Sequence, residues 1–343
     1  MSSKPSRFQK WVEGRWYGRP GLLSLLSPLE CFYKKTAASR RKAHAQTAQK
    51  YSVPVVVVGN ISVGGTGKTP TIISLISFLE GKGVRVGVVS RGYGRRTAGL
   101  VLANKASSTR DIGDEPYLIY TNVGCQLAVC ENRSDAVKAL SDDNLCDIIL
   151  SDDGLQHYAM YRDREIVVID GLRGLGNGRL LPVGPLREPA QRLNSVDWVL
   201  FNGVSSLASL LDAETPVFNM RIAPVEFVQV STGKSFPLDY FSETRDTAEI
   251  VAMAGLGNPR KFFLTLSEIG LTFQEKVFKD HHVYRHNDLA DMAGNIILMT
   301  EKDAVKCKSI VGDNAFYLKV EMKLPNAFLD DFYSQINTLI KKS

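Results

Sequence analysis

The sequence is poor in cysteine and has no long hydrophobic run. Its five cysteines are odd in number, and no two of them form a C-x-x-C motif. A disulfide framework or a zinc ribbon is therefore not expected, and a reducing compartment fits the cysteine content best. No stretch reaches the roughly 18 consecutive apolar residues of a helix that spans a bilayer, so the sequence predicts no transmembrane segment.

The remaining composition is that of a folded globular protein. Hydrophobic residues make up 44% and charged residues 23% of the 343 residues, which argues against a mainly disordered chain. At roughly 100–200 residues per domain, this length indicates two domains, or one large domain with an appendage.

Positive charge is concentrated at the start of the chain. Residues 1–50 contain eleven Lys and Arg but only two Asp and Glu, so this stretch carries +9 although the whole chain carries +6. Trp11, Trp16 and Tyr17 lie among these cations, and a leucine-rich segment follows. This arrangement is typical of a helix that lies in a membrane interface. We therefore predict that residues 1–45 form a basic amphipathic arm that binds an anionic membrane surface, with packing on the protein core as the alternative.

The body of the chain alternates between apolar runs and helical spacing. Residues 53–58 form a continuous apolar run, as expected for a strand buried on both faces of a parallel sheet. Apolar residues at helical spacing follow over residues 70–79. Further apolar runs lie at residues 84–89, 127–130, 148–150, 166–169 and 198–201. The alternation predicts an α/β fold with a doubly wound parallel sheet over residues 46–215.

The pattern changes after residue 215. Short apolar stretches broken by Pro224, Gly233 and Pro237 indicate a linker or β-ribbon over residues 216–240. A second alternation of strands and helices follows. We therefore predict a second, smaller α/β domain over residues 241–343, whose last helix could pack on either domain.

The strongest motif is a phosphate-binding loop, which reads S-V-G-G-T-G-K-T from Ser62 to Thr69. It matches the pattern G-x-x-x-x-G-K-[ST] except at Ser62, and it lies between a predicted buried strand and a predicted helix. Glycines let backbone N–H groups surround a polyphosphate, and the helix N-terminus adds partial positive charge. The predicted nucleotide-binding residues are Gly64, Gly65, Thr66, Gly67, Lys68 and Thr69. The sheet is therefore predicted to be P-loop NTPase-like, with Lys68 reaching the β- and γ-phosphates and Thr69 binding Mg²⁺.

A pair of carboxylates ends another apolar run. Asp152 and Asp153 lie at the carboxyl end of a predicted strand, where open α/β sheets bind ligands and phosphate-loop enzymes carry the metal-side acid. Successive strand residues point to opposite faces, so the two acids are expected to have different roles. The guanine-specific motif N-K-x-D is not matched, because the nearest candidate reads T-E-K-D at residues 300–303. ATP is therefore favoured as the nucleotide.

Other polar residues are weaker candidates on residue type and position alone. Asp114 suits a general base, although an aspartate followed closely by proline is also an ordinary helix start. Asp280 and His281 follow a predicted strand, where the histidine could handle protons. Arg91 follows a strand and Arg187 lies in a Pro-rich loop, but either could equally be a solvated surface charge.

Taken together, these segments resemble the tetraacyldisaccharide 4′-kinases, the lipid A kinases of Gram-negative bacteria. The matching stretches occur in the family's order across nearly the whole chain, and their combination is specific although each one alone is not. They lie at residues 59–70, 90–95, 113–116, 151–157, 176–189, 254–259, 280–282 and 299–304. The sequence departs from the family pattern at Lys279, where proline is expected, and at Val183, where alanine is expected.

The resemblance implies a reaction and a cellular location. The reaction is phosphorylation, dependent on ATP and Mg²⁺, of the 4′-hydroxyl of a tetraacylated glucosamine disaccharide 1-phosphate. The location is peripheral, on the cytoplasmic face of the bacterial inner membrane. The resemblance also implies a two-lobed phosphate-loop fold with the active site between the lobes.

The resemblance further implies roles for individual residues. Asp114 would be the general base with His281 as its orienting partner, and Lys68 would act on the phosphates. The acids on the Mg²⁺ side would be Asp152, Asp153 and Glu188. The remaining active-site contacts would be Arg91, Tyr93, Glu115, His157, Arg187 and Asp280.

Two other functions fit parts of the sequence. A partner-regulated P-loop NTPase switch or metallochaperone would use the same loop and would hydrolyse nucleotide slowly without a lipid. A membrane adaptor with an inactive loop would bind no nucleotide. A nucleic-acid partner is not expected, because residues 51–343 carry a net charge of −3 and show no recognised nucleic-acid-binding module.

Overall fold

The structure, a computed structural model, divides the chain into two units. The larger unit contains Lys10–Arg221 and Met322–Ser343, and the smaller unit contains Ile222–Glu321 together with Met1–Gln9. The residues that the structure describes are 7–45, 48–142, 144–204, 212, 214–243 and 249–341. The first six residues of the predicted arm, which include Lys4, lie outside the described residues.

The described part of the arm is mostly helical, with a non-helical stretch at residues 17–20. Helices α1 (Arg7–Trp16) and α2 (Ser27–Ala45) are separated by a 3₁₀ helix at Gly21–Leu26. Within residues 22–32 of the arm, Leu23 is buried whereas four large apolar side chains are exposed. These are Leu22, Leu25, Leu29 and Phe32. Among the described helices, none has the length and apolar character needed to cross a membrane.

Strands and helices alternate through the rest of the larger unit. They are β1 (Val55–Gly59), α3 (Lys68–Glu80), β2 (Val86–Ser90), β3 (Val101–Leu102), α4 (Thr109–Ile112), α5 (Asp114–Val123), β4 (Gln126–Val129), α6 (Arg133–Asp142), β5 (Ile148–Asp152), β6 (Arg164–Asp170), a 3₁₀ helix (Ala190–Ser195), β7 (Trp198–Asn202) and the first residues of β8 (Val217–Gln229). The β-branched residues of β1 are all fully buried, as its continuous apolar sequence predicts.

The sheet of the larger unit places β1 in its middle. The strand order is β8-β7-β6-β1-β5-β2-β4-β3, and all pairings are parallel except that of β3 with β4. The carboxyl ends of β1, β2, β5, β6 and β7 therefore meet at one edge, where open α/β sheets bind ligands. The predicted α/β fold built on a parallel sheet is confirmed.

The smaller unit has its own sheet. Its elements, after the second part of β8, are β9 (Ser235–Phe236), α7 (Tyr240–Glu243), β10 (Ile250–Ala254), α8 (Pro259–Glu268), β11 (Gln274–Val277), α9 (His286–Leu289), a 3₁₀ turn (Ala290–Met292), β12 (Ile296–Thr300), α10 (Glu301–Cys307) and β13 (Ala315–Lys323). The strand order is β11-β10-β12-β13-β8, with β11, β10, β12 and β13 parallel and β9 antiparallel to β8.

The last helix, α11 (Asn326–Ile340), belongs to the larger unit. Phe328 and Phe332 pack edge-on against the ring of Trp198 in β7, at centroid distances of 6.1 and 5.4 Å. The indole N–H of Trp198 donates a hydrogen bond to Asp331 Oδ2 at 2.6 Å. These contacts bury the apolar face of α11 and satisfy the polar atom of the buried indole.

Candidate active site

The phosphate loop runs from the end of β1 to the start of α3 and bends at its glycines. Gly64 and Gly67 have φ angles of +112° and +100°, a region that residues with a side chain rarely adopt. A Cβ on Gly67 would lie 2.6 Å from Nδ2 of Asn202, at the end of β7. The same Nδ2 donates a hydrogen bond to the carbonyl oxygen of Thr66 at 3.0 Å. Backbone angle and close packing therefore both require glycine here, as the motif predicts.

Ser62, which replaces the first glycine of the motif, does not need glycine's freedom. Its φ is not positive, and it forms an antiparallel bridge with Leu186. Next to this bridge, the N–H of Val63 donates a hydrogen bond to the carbonyl oxygen of Pro185 at 2.8 Å. Any residue adopts such an extended backbone, so the departure from the motif leaves the loop intact.

The acid pair lies beside the phosphate loop. β5 ends at Asp152, opposite Val58 of β1, and the N–H of Asp153 donates to the carbonyl oxygen of Val58 at 3.0 Å. Asp153 has a φ of +48°, so the chain turns sharply at this residue. His157 lies in the following turn, where its N–H donates to the carbonyl oxygen of Gly154 at 2.9 Å. The structure thus brings the acid pair and His157 to the edge that carries the phosphate loop.

Asp153 lies between two cations. Its Oδ1 is 3.4 Å from Nζ of Lys68, and its Oδ2 is 3.2 Å from Nη1 of Arg187. Burial raises the pKa of the Asp153 carboxyl, but the charges of Lys68 and Arg187 outweigh it, and the net direction is well below the usual range. Asp153 is therefore ionised at neutral pH, and the predicted Lys68 and Arg187 belong to one site.

Asp152 has the opposite environment. Its side chain is buried, and the hydroxyl of Ser90 donates to its Oδ2 at 3.1 Å. Within the described part of the chain, Oδ1 is buried without a hydrogen-bond partner. Burial raises the pKa of Asp152, and the nearby charges of Glu115 and Asp153 raise it further. The two acids therefore differ in electrostatics, and their different roles stay a prediction.

These residues fit a magnesium ion that binds together with a nucleotide. Mg²⁺ is usually held by one or two carboxylates plus substrate phosphates rather than by a complete protein cage. The unpartnered Oδ1 of Asp152, the ionised Asp153 and the hydroxyl of Thr69 are oxygen ligands of that kind. Among the residues that the structure describes, no group of three or more His, Cys, Asp or Glu could hold a metal ion by itself.

Arg133, at the start of α6, is a site residue that the sequence reasoning missed. It is buried, and its Nη2 donates to the carbonyl oxygens of Asp153 at 2.9 Å and Asp152 at 3.4 Å. These bonds hold the strained turn that carries the acid pair. The sequence feature that could have indicated Arg133 is its position shortly after the apolar run of β4, near the carboxyl end of a strand.

Glu188 lies in a buried network. Gln156 Nε2 donates to its Oε1 at 2.8 Å, the hydroxyl of Tyr158 donates to Oε2, and Arg192 Nε is 3.4 Å from Oε2. The same Gln156 accepts, through Oε1, from Nη1 of Arg187 at 3.4 Å. Protein donors thus occupy both oxygens of Glu188, an arrangement that suits a residue that orients Gln156 and Arg187. The Mg²⁺-side role implied for Glu188 stays a prediction.

A further group of predicted residues lies between β2 and α5. Arg91 and Tyr93 are exposed just after β2. A Cβ on Gly113 would lie 2.9 Å from the carbonyl oxygen of Tyr93, so the start of α5 is pressed against this segment. α5 begins with Asp114 and Glu115, where the helix N-terminus stabilises carboxylates. The structure therefore brings these four predicted residues together.

Asp280 and His281 lie in the smaller unit. The N–H of His281 donates to Asp280 Oδ1 at 3.0 Å, and His281 has a φ of +55°. Nζ of Lys302 is 3.4 Å from Asp280 Oδ1 and 3.5 Å from His281 Nε2. Lys302 belongs to the T-E-K-D stretch, to which the sequence reasoning gave no role in the site.

The fold and this edge of the larger sheet define a phosphate-loop nucleotide-binding protein. Comparison with known proteins then identifies the family. The family model described as "Tetraacyldisaccharide-1-P 4'-kinase" matches residues 22–337. The chain belongs to this family.

Individual relatives agree with the family assignment. The tetraacyldisaccharide 4′-kinase of Pseudomonas fluorescens (strain Pf0-1) is 44% identical over 95% of each chain, and that of Legionella pneumophila (strain Corby) is 41% identical over 94% of this chain and 97% of its own. Among solved structures, LpxK from Aquifex aeolicus, crystallised in complex with ATP, matches with a TM-score of 0.74 and 28% identity over 93% of this chain and 99% of its own.

Proposed function

We propose that this protein is a kinase of lipid A biosynthesis that transfers the γ-phosphate of ATP to the 4′-hydroxyl of a tetraacyl glucosamine disaccharide 1-phosphate. The observation that carries the proposal is the ion pair of Lys68 with Asp153, which joins the phosphate loop to the acid pair at one sheet edge. This arrangement occurs in a chain that the family model matches over residues 22–337. The ATP bound in the Aquifex aeolicus relative supports ATP as the phosphate donor.

The residues of the site divide the chemistry among them. Backbone N–H groups of the phosphate loop bind the phosphates, and Lys68 neutralises charge on the transferred group. The oxygen of the 4′-hydroxyl bonds to the γ-phosphorus while Asp114 accepts the proton of that hydroxyl. ADP leaves with the electron pair of the broken P–O bond. For His281, the family resemblance implies the role of orienting partner of Asp114. Mg²⁺, when bound by Thr69 and the acid pair, supplies further positive charge at the phosphates.

A transfer assay tests this function. Purified protein with Mg²⁺, radiolabelled ATP and the tetraacyl disaccharide 1-phosphate should give a doubly phosphorylated lipid. Absence of label in the lipid, with active substrate confirmed by a known family member, would contradict the proposal. Slow hydrolysis of ATP or GTP that needs no lipid and accelerates with a protein partner would favour the switch or metallochaperone instead.

We further propose that the arm docks the protein on the cytoplasmic face of the inner membrane. Leu22, Leu25, Leu29 and Phe32 are 56–77% exposed although they are large and apolar. Burying such side chains in a bilayer interface is favourable by roughly 1.5–3 kcal/mol each. Neighbouring cations of the arm would add attraction to anionic lipids.

Replacing Leu25 and Leu29 by serine should weaken binding to anionic vesicles at least about tenfold, because two apolar contacts with the interface are lost. Sedimentation with vesicles of anionic phospholipid measures this change. Leu264→Ser, which alters an exposed leucine of α8 outside the arm, is the matched control and should bind as the unaltered protein does. Equal sedimentation of the double variant would refute docking through these residues.

A further inference from the structure

The arm contacts the phosphate loop directly. The hydroxyl of Tyr17, just after α1, donates a hydrogen bond to the carbonyl oxygen of Val63 at 3.2 Å. Burial raises the pKa of the Tyr17 hydroxyl, so it remains a donor at neutral pH. Val63 immediately precedes Gly64, a predicted phosphate-binding residue. The contact therefore reaches the part of the loop that would face the nucleotide.

This hydrogen bond restrains the direction of a backbone N–H group that is predicted to donate a hydrogen bond to the phosphates. The peptide unit between Val63 and Gly64 is planar, so its C=O and N–H groups point in opposite directions. Fixing the carbonyl of Val63 therefore fixes the N–H of Gly64, which together with the other loop N–H groups is predicted to surround the phosphates. Gly64 has no side chain of its own to restrain that peptide.

Arg173 supports the same contact. Its guanidinium carbon lies 4.7 Å from the centre of the Tyr17 ring, within range of a cation–π interaction. Its Nη1 lies 3.4 Å from the position that a Cβ on Gly64 would occupy. The N–H of Arg173 donates to Asp170 Oδ1 at 3.3 Å, at the end of β6, which pairs with β1. Tyr17 is thus held between the sheet and the phosphate loop.

The arm also holds the segment that pairs with the phosphate loop. Residues 180–187 contain the partners of the Ser62 bridge described above. The carboxylate of Glu30 accepts the N–H of Leu180 at 2.8 Å, and the hydroxyl of Tyr33 donates to the carbonyl oxygen of Arg187 at 3.1 Å. A second set of contacts therefore connects the arm to the backbone of the nucleotide site.

We propose that Tyr17 is a positioning residue of the nucleotide site, through which the arm sets the affinity for ATP. The proposal rests on nucleotide binding by the phosphate loop, as proposed above, and not on the identity of the phosphate acceptor. Tyr17 acts through the peptide between Val63 and Gly64 and does not itself contact the nucleotide. If the hydrogen bond served only to hold the arm, its loss would loosen the arm and leave nucleotide affinity unchanged.

Tyr17→Phe tests the proposal, because it removes the hydroxyl and keeps the ring against Arg173. Calorimetric titration with a non-hydrolysable ATP analogue and Mg²⁺, without lipid, should show affinity reduced about two- to tenfold, the range expected for one hydrogen bond. The KM for ATP should rise by a similar factor, with kcat and the KM for the lipid nearly unchanged. Tyr51→Phe, which removes a hydroxyl packed against the core of the larger unit, is the control and should bind the analogue normally.

The possible outcomes separate this proposal from the proposed function. If Tyr17→Phe binds the analogue with unchanged affinity, the positioning role of Tyr17 is overturned. The same conclusion follows if Tyr17→Phe loses only vesicle binding. A melting temperature without nucleotide equal to that of the unaltered protein, with a smaller rise on adding the analogue, supports that role and excludes misfolding. Normal analogue binding without phosphate transfer to the lipid would contradict the lipid kinase alone. Failure of the unaltered protein to bind the analogue would overturn both.

Discussion

Asp114→Ala should lower turnover by about 10²–10⁴-fold and leave the affinity for ATP nearly unchanged, as expected for the loss of a general base. Asp114 is the first residue of α5, outside the phosphate loop at residues 62–69, and the preceding Gly113 packs against the carbonyl oxygen of Tyr93. Its carboxylate is therefore expected to act on the acceptor hydroxyl and not on nucleotide binding. Steady-state transfer of radiolabelled phosphate, combined with calorimetry of an ATP analogue, measures both quantities.

Two companion variants sharpen the test of Asp114. Asp114→Asn keeps the size of the side chain and its place at the helix start but cannot take a proton, so it should be nearly as defective as the alanine variant. Asp135→Ala removes an exposed carboxylate from the first turn of α6 and should leave turnover unchanged. A tenfold loss of ATP affinity with normal turnover would remove Asp114 from the role of base.

Lys68→Ala should damage both nucleotide binding and turnover, with turnover falling by about 10²–10³-fold, the range seen when one preorganised charge-stabilising donor is lost. Lys68 is mostly buried, and its ammonium lies 3.4 Å from Asp153 Oδ1. Removing it leaves the partly exposed carboxylate of Asp153 paired with Arg187 and takes a cation from the predicted γ-phosphate position. Equilibrium binding of an ATP analogue and the transfer rate measure the two effects.

The controls for Lys68 separate charge from position. Lys105→Ala removes an exposed lysine elsewhere in the larger unit and should change neither quantity. Lys68→Arg keeps the charge but replaces a compact ammonium by a planar guanidinium, so it should stay impaired. Near-normal transfer by Lys68→Ala would reject the assignment of the phosphate loop.

The sequence predicts the strands and helices of the larger unit well, since their patterns are local. The apolar run at 53–58 becomes β1, and the helical spacing at 70–79 lies within α3. The order of the strands in the sheet is not predicted in this way, because it depends on long-range pairing. β1 pairs with β5 and β6, about a hundred residues away along the chain. No local pattern shows which distant strands become neighbours.

In the candidate site, too, the sequence predicts the features that depend on local pattern and misses those that depend on long-range contacts. The motif predicts the glycines at 64 and 67, because their positive φ angles belong to the bend of the loop itself. Arg133 could not be assigned in this way, since its role is to bind the carbonyl oxygens of two residues on another strand. Residue type and spacing reveal groups that do chemistry, whereas the groups that hold them depend on long-range contacts.

The pairing of the phosphate loop with residues 180–187 has a consequence for how the gene can change. Ser62 and Val63 meet Leu186 and Pro185 through backbone atoms, and at Val63, which donates its N–H, every amino acid except proline supplies them. The bridge therefore tolerates a serine at residue 62 in place of the glycine of the motif, whereas truncating the fully buried side chain of Leu186 would leave a cavity in the core. Insertion or deletion of a single codon in either stretch would shift the register of the two backbones and break this pairing, so the number of residues in each stretch is constrained.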